Sequence, residues 1–296
     1  MTSHRFRRLL AATDLSAPAR HAAERAALIA RQLQAGIDLL HVTSLPTLDR
    51  FRQFVSQLPA GTLDRLTDDA RSDLQKLAAH LAQQHGVAPG LQLRTGPLLQ
   101  EITDAAAASD ADLLVFGARG NSFMRHLLLG TTAERLIRKA DRPMLVVKQA
   151  PHEPYRTLLV PVDFSAYALP ALQYARAIAP DATIILLHAF ELPFEGKLRM
   201  AGVEEYDIHR YRIAAKDEAR ERLRVLRDEA GIPPECARLL VLHGNPSLAI
   251  IQQEQEQDCD LIVIGKHGES VIEDLLLGSV TKHVLAESQG DVLVSV

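Results

Sequence analysis

The chain has 296 residues, 47% of them hydrophobic and 24% charged, which suits a globular protein with room for two domains and rules out a short peptide or a disordered tail. Lys and Arg number 33 against 37 Asp and Glu, a net charge of −4, and no basic stripe runs along any segment, so nucleic acid is not an expected partner. The two cysteines, Cys236 and Cys259, form no Cys-x-x-Cys pair; this argues against a disulfide framework or a thiolate metal site and makes a reducing cytoplasm the expected setting.

In chain order, the basic opening residues lead into an apolar run, Leu9–Ala12, far shorter than a signal segment, and no stretch nears the roughly 18 apolar residues a membrane span needs. Arg8–Thr13 reads as a buried strand. Ser16 is placed to cap a helix whose Ala22, Ala26, Ile29 and Leu33 recur at helical spacing until Gly36 stops it. Ile37–Val42 is the next strand. An irregular stretch through Gly61 follows, then a helix over Leu63–Gln84 and a strand over Leu91–Arg94. A helix over Leu98–Ala108, a strand over Leu113–Phe116, a helix over Thr131–Lys139 and a strand over Met144–Val147 complete a βαβαβαβαβ order. Strands that are apolar throughout, alternating with helices, predict an α/β fold with a doubly wound parallel sheet covered on both faces.

The chain then repeats itself. Leu9-Leu10-Ala11-Ala12-Thr13-Asp14-Leu15-Ser16 returns as Leu158-Leu159-Val160-Pro161-Val162-Asp163-Phe164-Ser165, and Asp112–Gly117 returns as Asp260–Gly265. Strands are expected at Thr183–Leu187 and Leu239–Leu242, and a long helix over Ile213–Glu229. Two prolines in Gln149–Pro154 mark the linker, giving domains over 1–150 and 151–296. The first 150 residues carry 19 Lys and Arg against 14 Asp and Glu, the rest 14 against 23, so the domains are expected to attract and dock; independent drift of the two surfaces is the alternative. Ligands of doubly wound sheets bind beyond the carboxyl ends of strands, where Asp14, His41, Val42 and Gly117 would lie.

After the fourth strand of each half comes Gly-x2-Gly-x9-Gly-[Ser/Thr]: Gly117, Gly120, Gly130 and Thr131, then Gly265, Gly268, Gly278 and Ser279. Glycines let backbone N–H groups approach an anion and allow positive φ, and the last glycine leads into a helix N-terminus with unpaired donors. Chance gives three glycines at this spacing about 0.1 times in such a chain, given glycine at about 7%. One copy is weak; two in register are not. Neither Gly-x4-Gly-Lys-[Ser/Thr] nor Gly-x-Gly-x2-Gly occurs.

The strand-to-Asp opening, the glycine element with its leucine run, Leu127–Leu129 or Leu275–Leu277, and the closing Pro143–Val147 resemble the universal stress protein family in a tandem two-domain form, over essentially the whole chain. The resemblance implies an adenine-nucleotide α-hydrolase-like fold arranged as a pseudo-dimer. It also implies the ATP-binding branch, with ADP or AMP as lesser possibilities and a role in the stress response. Carried over by position, Asp14 and Asp163 would contact ribose or adenine, Val42 and Ala189 would border the adenine, and the glycines with Thr131 and Ser279 would hold the phosphates. Arg119, Lys266 and His267 lie inside the loops and would neutralise charge, or are ordinary surface bases. Mg or Mn would be held mainly by phosphate and water. The tandem chain would satisfy dimer-like packing alone or extend it to a homodimer. Two departures stand out: the second half ends Gly290-Asp291 where the family has proline before the last strand, and Ala189 replaces valine.

Bland readings stand beside these. Asp14 and Asp163 could cap a turn. Thr131 with Glu134 forms a capping-box pattern, whereas Ser279 has Lys282 in that place. His41 and His188 are expected to be satisfied structural histidines, Cys259 a small apolar packing group. The inserts holding Phe123-Met124 and Val271-Ile272 read as lids or packing loops. No nucleophile–base–carboxylate set is evident, so catalysis is expected to reach slow ATP hydrolysis or nucleotidyl transfer at most. A pure interaction module with vestigial glycines, pairing through the strands 145–147 and 292–294, is the further alternative.

Overall fold

Leu9, Leu10, Leu113 and Leu145 are fully buried, and so are Leu158, Leu159 and Leu293, because strands covered on both faces have no solvent side on which to place a polar residue. The computed structural model describes residues 5–44, 62–118, 131–139, 141–192, 195–268 and 277–296. The chain divides into two units, Arg5–Pro154 and Tyr155–Val296.

In the first unit the strands are β1 (Arg8–Ala12), β2 (Gly36–Ser44), β3 (Gly90–Gly96), β4 (Leu113–Gly117) and β5 (Met144–Val147). They lie in the order β3-β2-β1-β4-β5, and every pair is parallel. The helices are α1 (Ala17–Leu33), α2 (Thr62–His85), α3 (Leu98–Ala108) and α4 (Thr131–Lys139). The second unit has β6 (Thr157–Pro161), β7 (Thr183–Phe190), β8 (Ala237–His243), β9 (Leu261–Gly265) and β10 (Asp291–Ser295). Their order, β8-β7-β6-β9-β10, is that of the first unit, again all parallel. Its helices are α5 (Ala168–Ile178), α6 (Glu195–Met200), α7 (Glu205–Glu229), α8 (Pro246–Glu256) and α9 (Ser279–Glu287). The winding reverses between β1 and β4, and between β6 and β9. The doubly wound parallel α/β fold expected from the periodicity is present in both units.

Helix α1 packs on the sheet through Ala22, Ala23, Ala26 and Ala27, all at 0% exposure, whose small side chains allow a close approach. Ser16 caps it, its Oγ accepting from the Ala19 N–H at 3.4 Å, with Pro18 in the first turn. Ser16→Ala is expected to cost about 1 kcal/mol, read as a lower melting temperature or urea midpoint. The helix does not end on Gly36 as the pattern suggests. Gln34 takes the left-handed conformation at φ 54°, and Ala35 N–H closes on the Ala30 carbonyl at 2.8 Å. Gly36 is already strand, its N–H given to the Arg7 carbonyl at 2.8 Å. Helix α7 starts about two turns before the expected Ile213. The charged stretch ahead of that residue hides a good helix start, since Glu205 and Asp207 in the first turn favour the positive end of the helix dipole.

The two units close their last strands differently. In the first, Pro143 precedes β5 and the Arg142 Nη1 donates to the Ala111 carbonyl at 2.8 Å. In the second, Glu254 of α8 is 3% exposed, and its Oε1 accepts from the Gln289 and Gly290 N–H groups at 3.0 and 2.7 Å. A proline just before β10 is therefore replaced by a carboxylate clamp on the turn. Cys259 is buried, and burial, followed by the charges of Glu254, Asp260 and Asp258, pushes its thiol up to about 12. It packs as a small apolar group with its sulfur 3.9 Å from the Gln253 carbonyl. No helix among the described residues is long and apolar enough to cross a membrane.

Candidate functional site

At the carboxyl end of β6 the Val162 N–H bonds the Leu187 carbonyl at 2.9 Å, extending the ladder one residue beyond the strand. The chain then turns sharply: Phe164 sits at φ 64°, and the Asp163 Oδ1 accepts from the Ser165 N–H at 3.0 Å. The first unit builds the same corner. Thr13 N–H bonds the Leu40 carbonyl at 2.9 Å, Leu15 is at φ 65°, and the Asp14 Oδ1 accepts from the Ser16 N–H at 3.0 Å. A left-handed non-glycine residue costs on the order of 1–2 kcal/mol, so both copies carry local strain at the point where the winding reverses. One carboxylate oxygen of each Asp holds its own turn, which gives the capping reading its share; the other is directed elsewhere in the second unit, as shown below.

His41 and His188 anchor these corners. The Nδ1 of His41 donates to the Thr13 carbonyl and that of His188 to the Val162 carbonyl, each at 2.9 Å. Burial, helped by the Arg222 guanidinium, holds the His188 imidazole below its ordinary range. The His188 ring packs 4.4 Å from Phe164, which in turn lies under Arg222 at 4.0 Å. Among the described residues no group of three or more His, Cys, Asp or Glu is arranged to hold a metal ion.

Asp163, Ala189, Gly265, Gly268, Gly278 and Ser279 meet around one cavity of about 320 Å³ at this edge of the second unit. Leu187, Ala171, Ile250 and Ile264 supply apolar wall, while Ser165, Tyr167, His267 and Thr281 add polar groups. Asp163 is the one carboxylate among the described lining residues, and none of these is Lys or Arg. Lys266 is not in the lining. It is buried, its N–H donates to the Ser295 carbonyl at 2.8 Å, and its carbonyl accepts from the Gly278 N–H at 3.1 Å. His267, its neighbour, faces the cavity with its ring 5.5 Å from Tyr167.

The glycines act through space rather than through positive φ, which none of these three adopts. A Cβ on Gly268 would stand 2.8 Å from the Asp163 Oδ2, closer than carbon and oxygen tolerate. A Cβ on Gly265 would come within 3.1 Å of both the His267 carbonyl oxygen and the Tyr167 Cβ. Gly278 has ordinary clearance, 3.5 Å at its nearest, and its N–H is committed to Lys266. The donors on this side are instead those of α9. Its first backbone bond runs from the Lys282 N–H to the Gly278 carbonyl at 2.9 Å, no side chain caps it, and Ser279, Val280 and Thr281 all line the cavity. The Thr281 Oγ1 donates to the Gly265 carbonyl at 2.7 Å, tying the helix start to the end of β9.

In the first unit Asp14, Val42 and Gly117 occupy the matching ends of β1, β2 and β4. Arg119, Gly120 and Gly130, like Phe123, Met124, Val271 and Ile272, lie outside the described residues; Thr131 opens α4, of which the backbone alone is described there. Glu134, the other half of the expected capping box, pairs with Arg138 at 2.7 Å. Sequence reasoning missed Ser165 and Tyr167. The repeat Asp14-Leu15-Ser16 and Asp163-Phe164-Ser165 held the signal for Ser165; nothing comparable marked Tyr167.

Comparison with known proteins follows the same division. The model of the universal stress protein family matches residues 5–148 and again 154–295. A universal stress protein of Mycolicibacterium smegmatis is 26% identical over 304 residues, covering 97% of this chain and 96% of that one. The Synechocystis universal stress protein Slr1230 is 27% identical, covering 97% and 99%. Among solved structures, a universal stress protein from Archaeoglobus fulgidus superposes with a TM-score of 0.68 at 21% identity, over 97% of each chain. With both halves matched and full-length relatives of the same kind, this chain belongs to the universal stress protein family, in its tandem two-domain form.

Proposed function

We propose that this protein binds an adenine nucleotide, ATP foremost, in one or both units and that occupancy serves as a signal in a stress response. The observation that carries the reading is the second-unit cavity. It joins a carboxylate at the switch of winding, an apolar wall and the uncapped start of α9. These parts fit the parts of a nucleotide. Ala189 and its apolar neighbours suit a base, the Asp163 carboxylate suits sugar hydroxyls and would repel phosphate, and the amides and hydroxyl at the start of α9 suit the phosphates. A divalent ion would ride on the phosphates. The first unit repeats the Asp corner and the glycine spacing, which supports a second site there.

The experiment is native mass spectrometry of the untreated purified protein, with an acid extract run against nucleotide standards and Gly117→Val and Gly265→Val variants alongside. A mass excess matching ATP, ADP or AMP, reduced by one variant and abolished by both together, is expected. An apo mass that stays apo at millimolar ATP would overturn the reading and leave the chain an interaction module. Hydrolysis is a separate question. Of the described lining residues Asp163, Tyr167 and His267 are ionisable, and single-turnover assays with ADP no higher than background are expected.

A further inference from the structure

The two Asp corners look alike, but the serine that ends each is used differently. Ser16 Oγ caps α1, where Pro18 sets the first turn directly after it. In the second unit the proline is Pro170, three residues further along relative to the serine, and α5 begins two residues later than α1 does, at Ala168. Tyr167 stands at its N-cap without a side-chain bond, and the Ser165 carbonyl, not its hydroxyl, receives the Ala168 N–H at 3.1 Å. The Ser165 hydroxyl is left over. Its Oγ is buried and meets no hydrogen-bond partner among the described residues, yet Ser165 lies in the cavity wall beside Asp163. A buried hydroxyl without a partner is unfavourable, and serine can turn its Oγ among staggered positions at little cost.

We propose that Ser165 is a specificity-determining contact of the second unit, its hydroxyl engaging the 2′-hydroxyl of a bound ribonucleotide while Asp163 accepts from the neighbouring hydroxyl. A carboxylate accepts only, whereas a serine both donates and accepts, so the pair matches a vicinal diol better than either alone. Ribose is thereby favoured over 2′-deoxyribose in the second unit. In the first unit the matching Ser16 Oγ already accepts the Ala19 N–H at 3.4 Å and is held at the helix start, so less of it is left to offer a ligand. This inference rests on the nucleotide-binding reading above.

The test compares ATP with 2′-deoxy-ATP by titration calorimetry on the full chain, in a Gly117→Val background that confines binding to the second unit, with and without Ser165→Ala. Ser165→Ala is expected to weaken ATP about 5- to 10-fold, the size of one ordinary hydrogen bond, and to leave 2′-deoxy-ATP unchanged, closing the gap between the two. Its melting temperature should stay level or rise, whereas Ser16→Ala lowers it. A gap between the two ligands that survives Ser165→Ala, the absence of any gap in the parent, or a melting loss equal to that of Ser16→Ala would overturn the proposal. Failure of the parent to bind either ligand would instead overturn the nucleotide reading itself.

Discussion

Gly268→Ala is expected to empty the second unit of nucleotide while leaving it folded. The added methyl would meet the Asp163 Oδ2 at 2.8 Å, so that carboxylate must shift, and its shift strains the bond its Oδ1 makes to the Ser165 N–H at 3.0 Å. Either the corner opens or the loop backs away. In both cases the carboxylate and the start of α9 lose their spacing across the cavity, and displacements of about 1 Å at a binding group commonly cost 10-fold or more. We expect ATP affinity in the second unit to fall at least about 10-fold, with a stability change of roughly 1 kcal/mol or less, since the backbone there does not need positive φ. Calorimetry for the ligand and thermal melting for the fold separate the two effects. Undiminished affinity in Gly268→Ala would mean that the Asp163 position is irrelevant to the ligand.

The second large effect is on stability. Glu254→Ala would remove the acceptor of two N–H groups at once, the buried one of Gly290 and the partly buried one of Gln289, and leave a hole beside a turn already tight. The space around Gly290 is narrow, with the Asp260 and Cys259 carbonyl oxygens each 3.1 Å from where its Cβ would be, so the turn has no easy rearrangement. Stranding a buried donor costs about 1–3 kcal/mol and a partly buried one less, and we expect a loss of about 1–3 kcal/mol in a urea titration of the second unit. Glu254→Gln, which keeps one acceptor oxygen, should lose less. Equal stability of Glu254→Ala and the parent would show that the clamp contributes nothing.

How much of this was legible in the sequence depends on the range of the forces involved. Helix α3, helix α4 and strand β5 begin and end where apolar periodicity places them, because each is bounded by its own local signals. The repeat carried the topology, since two copies with the same strand spacing fold the same way. Gly36 misled because a glycine near a helix end is a statistical stop, while the actual stop, Gln34, is a non-glycine residue at φ 54°. The glycines of the loop were recognisable as a pattern but not in their action. Their role depends on what stands opposite each Cβ, and the partner of Gly268 is Asp163, more than a hundred residues distant. Lys266 and His267 show the same limit. Adjacent in sequence, they part ways, one beside β10 and one into the cavity, and composition alone carries no sign of which goes where.

The placement of the two thiols has an operational consequence. Both Cys236 and Cys259 belong to the second unit, one exposed and one buried, and the first 150 residues contain none. Burial and the surrounding carboxylates keep the Cys259 thiol protonated at neutral pH, and it is shielded as well. An alkylating reagent therefore marks Cys236 at once and Cys259 only when the second unit opens. The rate of that slow second adduct, followed by intact mass, reports the opening equilibrium of one half of the molecule without any mutation. Saturating ligand should slow it in proportion to its occupancy of that half, so the protein carries its own clock for which site is filled.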